Sequence, residues 1–269
     1  MKKIISALLL ASMLVAALAS CGSGEDNTTT TPAGTTTTAA TTTTKAGPPE
    51  TVPTEAEPEP TLPVVPGAGL EDLLAGLTKA EVDMTQLGVV DFDAWDDNEN
   101  KENLDGLFDG IKTQADFEAA GKGKCGGHAA WGDEKGAWFY FALTEAATIK
   151  AYVITTGNDN TDFPGRNPVE WTLYGTNDEA AFAAGAAAGL NNNPGGGEDT
   201  RKLLSDVPFD ESKWTMLDYV YDGKIEDGNF LENGYEIDAD AQQSFKYYVW
   251  VLGYTGDGNF QACELELYK

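Results

Sequence analysis

The chain has 269 residues and carries 44 acidic against 17 basic side chains, a net charge of −27. No basic stripe occurs, which argues against nucleic acid as a partner and against electrostatic docking on anionic lipid. A single histidine, with no HExxH, GxSxG or phosphate-loop pattern, leaves no catalytic signature, and carboxylates are too numerous for any one pair to point to glycoside hydrolysis.

The N-terminus, MKKIISALLLASMLVAALASC, places Lys2 and Lys3 before an apolar run from Ile4 to Leu18 and then small residues. That is the layout of a secretory signal peptide over residues 1–20, and the apolar run is shorter than a membrane span needs. Leu18-Ala19-Ser20-Cys21 resembles the lipobox of bacterial lipoproteins, which implies lipidation of Cys21. The membrane would then be met through the N-terminal lipid alone, with the rest of the chain displayed outside the bacterial cell. Residues 21–66 are rich in Thr, Pro and Ala and lack aromatic residues. Such a segment cannot bury enough apolar surface to offset its ordering entropy, so it reads as a disordered, proline-stiffened tether.

All six tryptophans follow the tether. GLEDLLAGLTKAEV, residues 69–82, has apolar residues at helical spacing and predicts a short helix in a lead-in over 67–82. From residue 83 to the end the period becomes two. Strands are expected at 87–95, 137–143, 148–156, 169–175, 214–221, 245–253 and 260–268, separated by Gly-, Asn-, Asp- and Pro-rich turns. Repeated short strands without helical crossovers predict an all-β antiparallel sandwich. Residues 179–212, Ala-rich and then Asn/Gly-rich, read as an insertion made of a helix and a loop. The acidic stretch 96–106 fails the EF-hand rule, since its sixth position is Lys101 and its twelfth Leu107.

Four stretches in order, NLDGLFDG (103–110), TTGND…PGRNP…WTLYGTND (155–178), WTMLD (214–218) and KYYVWVL…QACELEL (246–267), resemble the discoidin or coagulation factor V/VIII C-type domain. The resemblance implies a galactose-binding-like jelly roll, as in bacterial carbohydrate-binding modules and fucose-binding lectins. Several implications follow for single residues. A structural Ca2+ would be held by Asp109 and Glu264, with main-chain carbonyls of Gly106, Ile111 and Cys263; hard oxygen donors suit that ion. Cys125 and Cys263 would pair as a disulfide, two buried thiols being the alternative. A carbohydrate or cell-surface glycan would be gripped by His128 and Arg166, with Asn160 beside them and Trp131, Phe163 or the insertion offering an apolar platform. Arg166 also has a structural reading, as an ion-pair clamp on its own loop through Asp159 or Asp162. A protein-interaction or accessory domain of a surface complex, without a sugar site, is the competing functional class, because one fold hosts many functions.

Overall fold

A computed structural model of the chain describes residues 68–95, 102–129, 136–187 and 209–269. The leader, Cys21, the tether, Trp131 and residues 188–208 of the insertion lie outside the described residues.

Strict alternation builds the longest strands. In β4 (Ala137–Thr148), Phe139, Phe141 and Leu143 point into the main core, while Trp138, Tyr140 and Ala142 point the other way. β9 (Ser244–Thr255) repeats the pattern, with Tyr248, Trp250 and Leu252 inward and Tyr247 and Val249 outward. Successive side chains of a strand face opposite sides of its sheet, so both faces of this sheet are apolar and both must be covered. With β1 (Val82–Val90), β6 (Pro168–Thr176) and β7 (Thr215–Val220) these strands form a five-stranded antiparallel sheet in the order β1-β4-β9-β6-β7.

Two three-stranded sheets contribute to the same core. One joins β2 (Phe92–Ala94), β3 (Cys125–Ala129) and β10 (Asn259–Ala262) in the order β10-β3-β2; the other joins β5 (Ala151–Thr155), β8 (Glu232–Glu236) and β11 (Glu264–Tyr268) in the order β11-β5-β8. The result is the antiparallel jelly-roll sandwich expected from the sequence. Trp171, Trp250, Phe92, Phe139 and Phe260 sit fully buried at its centre.

The opposite face of the five-stranded sheet is covered by part of the insertion. Asp178 caps the helix α3 (Glu179–Ala186) by accepting from the Ala180 and Ala181 N–H groups. Phe182 of α3 stacks on Tyr247 with ring centroids 4.6 Å apart. Gly185 lies so close to the sheet that a Cβ there would meet the Tyr140 ring at 2.3 Å. The helix inside 179–212 was legible from its alanines; its seat over this aromatic face was not.

Several expectations need correction. The lead-in helix ends at Leu74, and residues 78–80 run antiparallel to the chain terminus instead. Thr78 and Lys269 exchange both main-chain hydrogen bonds, at 3.1 and 2.9 Å, and the Ala80 N–H donates to the Leu267 carbonyl at 2.8 Å. The open edge of β11 outcompetes helix propensity there, because local preference is a weak prior against a ladder. The strand expected over 87–95 breaks at Asp91, whose φ is +57°, and the chain passes there from the large sheet to the small one. The run 260–268 is likewise divided at Cys263 into β10 and β11. β3, β8 and the helix α2 (Gln114–Ala120) were not anticipated.

Candidate functional site

The residues singled out in two distant loops meet at one end of the β10-β3-β2 sheet. β3 is its middle strand, so His128 is fixed from both sides, opposite Asn259 of β10 and Asp93 of β2. The His128 side chain is exposed. Just past β2, the Trp95 N–H donates to the Gly126 carbonyl at 3.0 Å, which lays the indole across β3. Gly126 is required for this, since a Cβ at that position would meet the Trp95 ring at 2.8 Å. The indole Nε1–H then donates to His128 Nε2 at 3.2 Å, with the two rings edge to face and centroids 5.8 Å apart. Acceptance at Nε2 assigns the ring proton to Nδ1, the other nitrogen of a neutral imidazole.

Arg166 reaches the same indole from the loop between β5 and β6. A 3-10 turn, Pro164–Arg166, carries it. Its guanidinium carbon lies 4.6 Å from the Trp95 ring centroid and 3.8 Å from that of Phe163, so the cation is stacked between two aromatic faces. Its contact with Asp159 is a single one, Nη1 to Oδ2 at 3.5 Å, and Nη1 also reaches Gln261 Oε1 at 3.5 Å. The clamp expected from Asp159 or Asp162 is therefore the weaker part of what holds Arg166; the aromatic sandwich is the stronger part. The side chain is 19% exposed, and Nε is buried without a hydrogen-bond partner among the described residues.

Lys124 supports the cluster from beneath. Its ammonium is almost wholly buried and meets Asp159 at 3.2 Å, Glu102 at 3.4 Å and Gln261 at 3.5 Å. Asp159 thus has two cations, one beneath and one above. Phe163 stays 42% exposed and extends the aromatic surface outward. An exposed imidazole, an indole, a guanidinium and a phenyl ring lie together, which suits a ligand with both hydroxyl groups and apolar C–H faces.

Asn160 does not join them. It is fully buried, and its amide nitrogen is directed at the Glu226 carbonyl, 3.5 Å away. The turn that places Arg166 outward rotates Asn160 into the protein. Trp95, not singled out in the sequence, takes the central position. The signal for it lay in the pairing of a tryptophan with a Gly-Gly strand, legible only once β2 and β3 are known to be neighbours.

At the corner where β11 begins, the expected calcium ligands can be tested against their contacts. Glu264 is fully buried, yet both its oxygens are engaged: Oε1 by the Lys79 ammonium at 3.1 Å and Oε2 by the Gly110 N–H at 2.8 Å. Asp109 Oδ1 accepts from the Ile111 N–H at 3.0 Å, and Oδ2 is buried without a hydrogen-bond partner among the described residues. Burial raises the Asp109 carboxyl above its ordinary value. It also lifts Glu264, to about 7, against the pull of Lys79. Burial works against the charge on Lys79 too, but Glu264 and Glu266 outweigh it and hold the ammonium above its usual value. Gly106 is closed in by the Lys124 main chain, which a Cβ would meet at 2.3 Å. Among the described residues no three His, Cys, Asp or Glu side chains converge as a metal site. As arranged, an ammonium already meets one oxygen of the carboxylate that would anchor the ion.

The two cysteines are both buried, and both thiols are free in the structure. Cys125 stands opposite Ala262, and both belong to the main core. Cys263, the next residue, lies outside that core, in the field of Lys124, Asp109 and Asp159. The disulfide implied by the resemblance is not formed between them. Burial pushes the Cys263 thiol up to about 12 and Cys125 well above its ordinary value, which keeps both protonated and unreactive.

Solved structures that the chain resembles include carbohydrate-binding modules and an F5/8 type C domain. They include the family 32 carbohydrate-binding module of NanJ from C. perfringens, in complex with galactose, at 13% identity over 71% of this chain and 100% of that one, TM-score 0.38. They also include the F5/8 type C domain of a Bacteroides fragilis protein, at 13% identity over 71% and 96%, TM-score 0.43. A third is the family 32 module of Streptococcus pneumoniae EndoD, at 12% identity over 68% and 95%, TM-score 0.39. No protein-family model and no curated protein matches the sequence.

Proposed function

We propose that this chain is a lipid-anchored, non-catalytic binding protein of the bacterial cell surface, and that it holds carbohydrate at the Trp95–His128–Arg166 end of the sandwich. One observation carries the reading: the imidazole of His128 and the guanidinium of Arg166, 38 positions apart in sequence, are brought to one indole. His128 offers Nδ1–H as a donor to a hydroxyl, Arg166 offers its guanidinium fork, and Phe163 offers a face to sugar C–H groups. None of these groups is arranged as a nucleophile with a base, which favours binding over chemistry. Leu18-Ala19-Ser20-Cys21 supports export and lipid attachment, and the Thr/Pro-rich residues 21–66 support a reach away from the membrane.

A glycan array probed with residues 22–269 tests the sugar site. The wild type is expected to retain a subset of glycans, and Trp95→Ala and His128→Ala to lose them with unchanged circular dichroism. A wild type that retains no glycan, or variants that bind as it does, would refute the assignment.

A further inference from the structure

Glu264 and Glu266 are two residues apart on β11, so their side chains share one face. Their side chains are 0% and 5% exposed. Two buried carboxylates on one face demand a cation. Lys79 supplies it, with its ammonium 3.1 Å from Glu264 and 2.9 Å from Glu266. The position is built in, since Lys79 sits opposite Tyr268 in the ladder that ties residues 78–80 to the end of the chain. Lys112 completes the network from the other side, bonding Glu266 at 2.8 Å and Glu232 at 2.7 Å.

Ca2+ takes six to eight oxygens, and here Glu264 Oε1 is already on the Lys79 ammonium and Oε2 on the Gly110 N–H, beside a positive charge that repels a dication. Next in sequence to the Gly110 N–H that caps Glu264, Asp109 keeps a buried oxygen without a hydrogen-bond partner among the described residues. A cavity of about 250 Å³ lined by Lys79, Val82, Met84, Phe108 and Glu264 opens beside it. Lys79 is 43% exposed at its side chain, so the ammonium closes the corner from the solvent side.

We infer that Lys79 is the resident cation of this corner, so that the domain holds it together without calcium, and that ammonium and Ca2+ exclude one another at Glu264. This inference does not rest on the sugar site, which lies among other residues. Thermal melts of the wild type, Lys79→Ala and Lys79→Arg in EDTA and in millimolar CaCl2 test it. The wild type and Lys79→Arg should melt at the same temperature in both. Lys79→Ala should melt lower in EDTA and recover in CaCl2, by about 5–10 °C at an ion concentration a hundredfold above Kd. If Lys79→Ala is unfolded in EDTA, its far-ultraviolet circular dichroism should return on adding CaCl2. A wild type whose melting temperature falls in EDTA and returns with Ca2+ would overturn the inference. A Lys79→Ala protein indifferent to Ca2+, folded or not, would overturn it as well.

Discussion

Replacing Arg166 by alanine removes four contacts at once, the 3.5 Å contact with Gln261 among them. The guanidinium stacks on Phe163 at 3.8 Å and on Trp95 at 4.6 Å, and meets Asp159 at 3.5 Å. Each stack contributes about 0.5–1 kcal/mol in a partly open site. The ion pair, with both partners a fifth to a third exposed, contributes about 0.2–1 kcal/mol. The larger cost of leaving a buried carboxylate alone does not apply, because Lys124 still holds Asp159 at 3.2 Å. The expected loss is about 2 kcal/mol, or roughly 4–8 °C in melting temperature for a domain of this size. Urea unfolding followed by tryptophan fluorescence measures it. Arg166→Lys separates the terms, since it keeps a charge for Asp159 but loses the planar stack, and it should recover less than half of the loss. A loss below about 0.5 kcal/mol, within the range of ordinary surface changes, would mean that the aromatic sandwich contributes nothing. A loss above about 4 kcal/mol would mean that Lys124 does not compensate Asp159.

Two further outcomes follow from other regions. Tyr152 donates to Asp218 Oδ2 at 2.6 Å and accepts from the Trp171 indole at 2.8 Å, and burial raises the Asp218 carboxyl above its ordinary 3.8. The folded state therefore holds this proton more tightly than the unfolded chain, so its contribution is fully present below pH 3.8 and is lost as pH rises through the folded value. Asp218→Asn should flatten that part of the stability–pH curve measured by chemical denaturation, and an unchanged slope would remove Asp218 from the account. At the N-terminus, Cys21→Ala should move the protein from the membrane fraction to the soluble one, and persistence in the membrane would point to an uncleaved apolar anchor instead of lipid.

The sandwich was legible because its main strands are short aromatic runs bounded by turn residues. Trp138–Leu143 is apolar on both faces, so its length, its aromatic content and its flanks, rather than a period of two, mark it as a strand. β3 was not legible, since Cys-Gly-Gly-His-Ala has no alternation to read. Its extended form comes from β2 and β10, which satisfy its main chain on both edges. β8 is similar: Glu-Asn-Gly-Tyr-Glu carries turn residues, yet it is drawn straight by β5. His128 and Arg166 were identified by the motifs around them, but the indole that joins them was not, because Trp95 depends on a glycine across the ladder.

The amino-acid sequence by itself determined the acidic balance, the apolar N-terminal run and the Thr/Pro-rich composition after it, the all-β class and the loop that carries Arg166. Those features are local: composition, apolar period and turn chemistry act over a few residues. Only the tertiary structure decided what stands beside each of them. It placed Arg166 between two rings as well as in an ion pair with Asp159, buried Asn160, left the two thiols free, and brought Lys79 from the lead-in to Glu264. Residues 79 and 264 lie 185 positions apart. No local preference connects them; a strand edge that had to be paired and a buried carboxylate that had to be neutralised do.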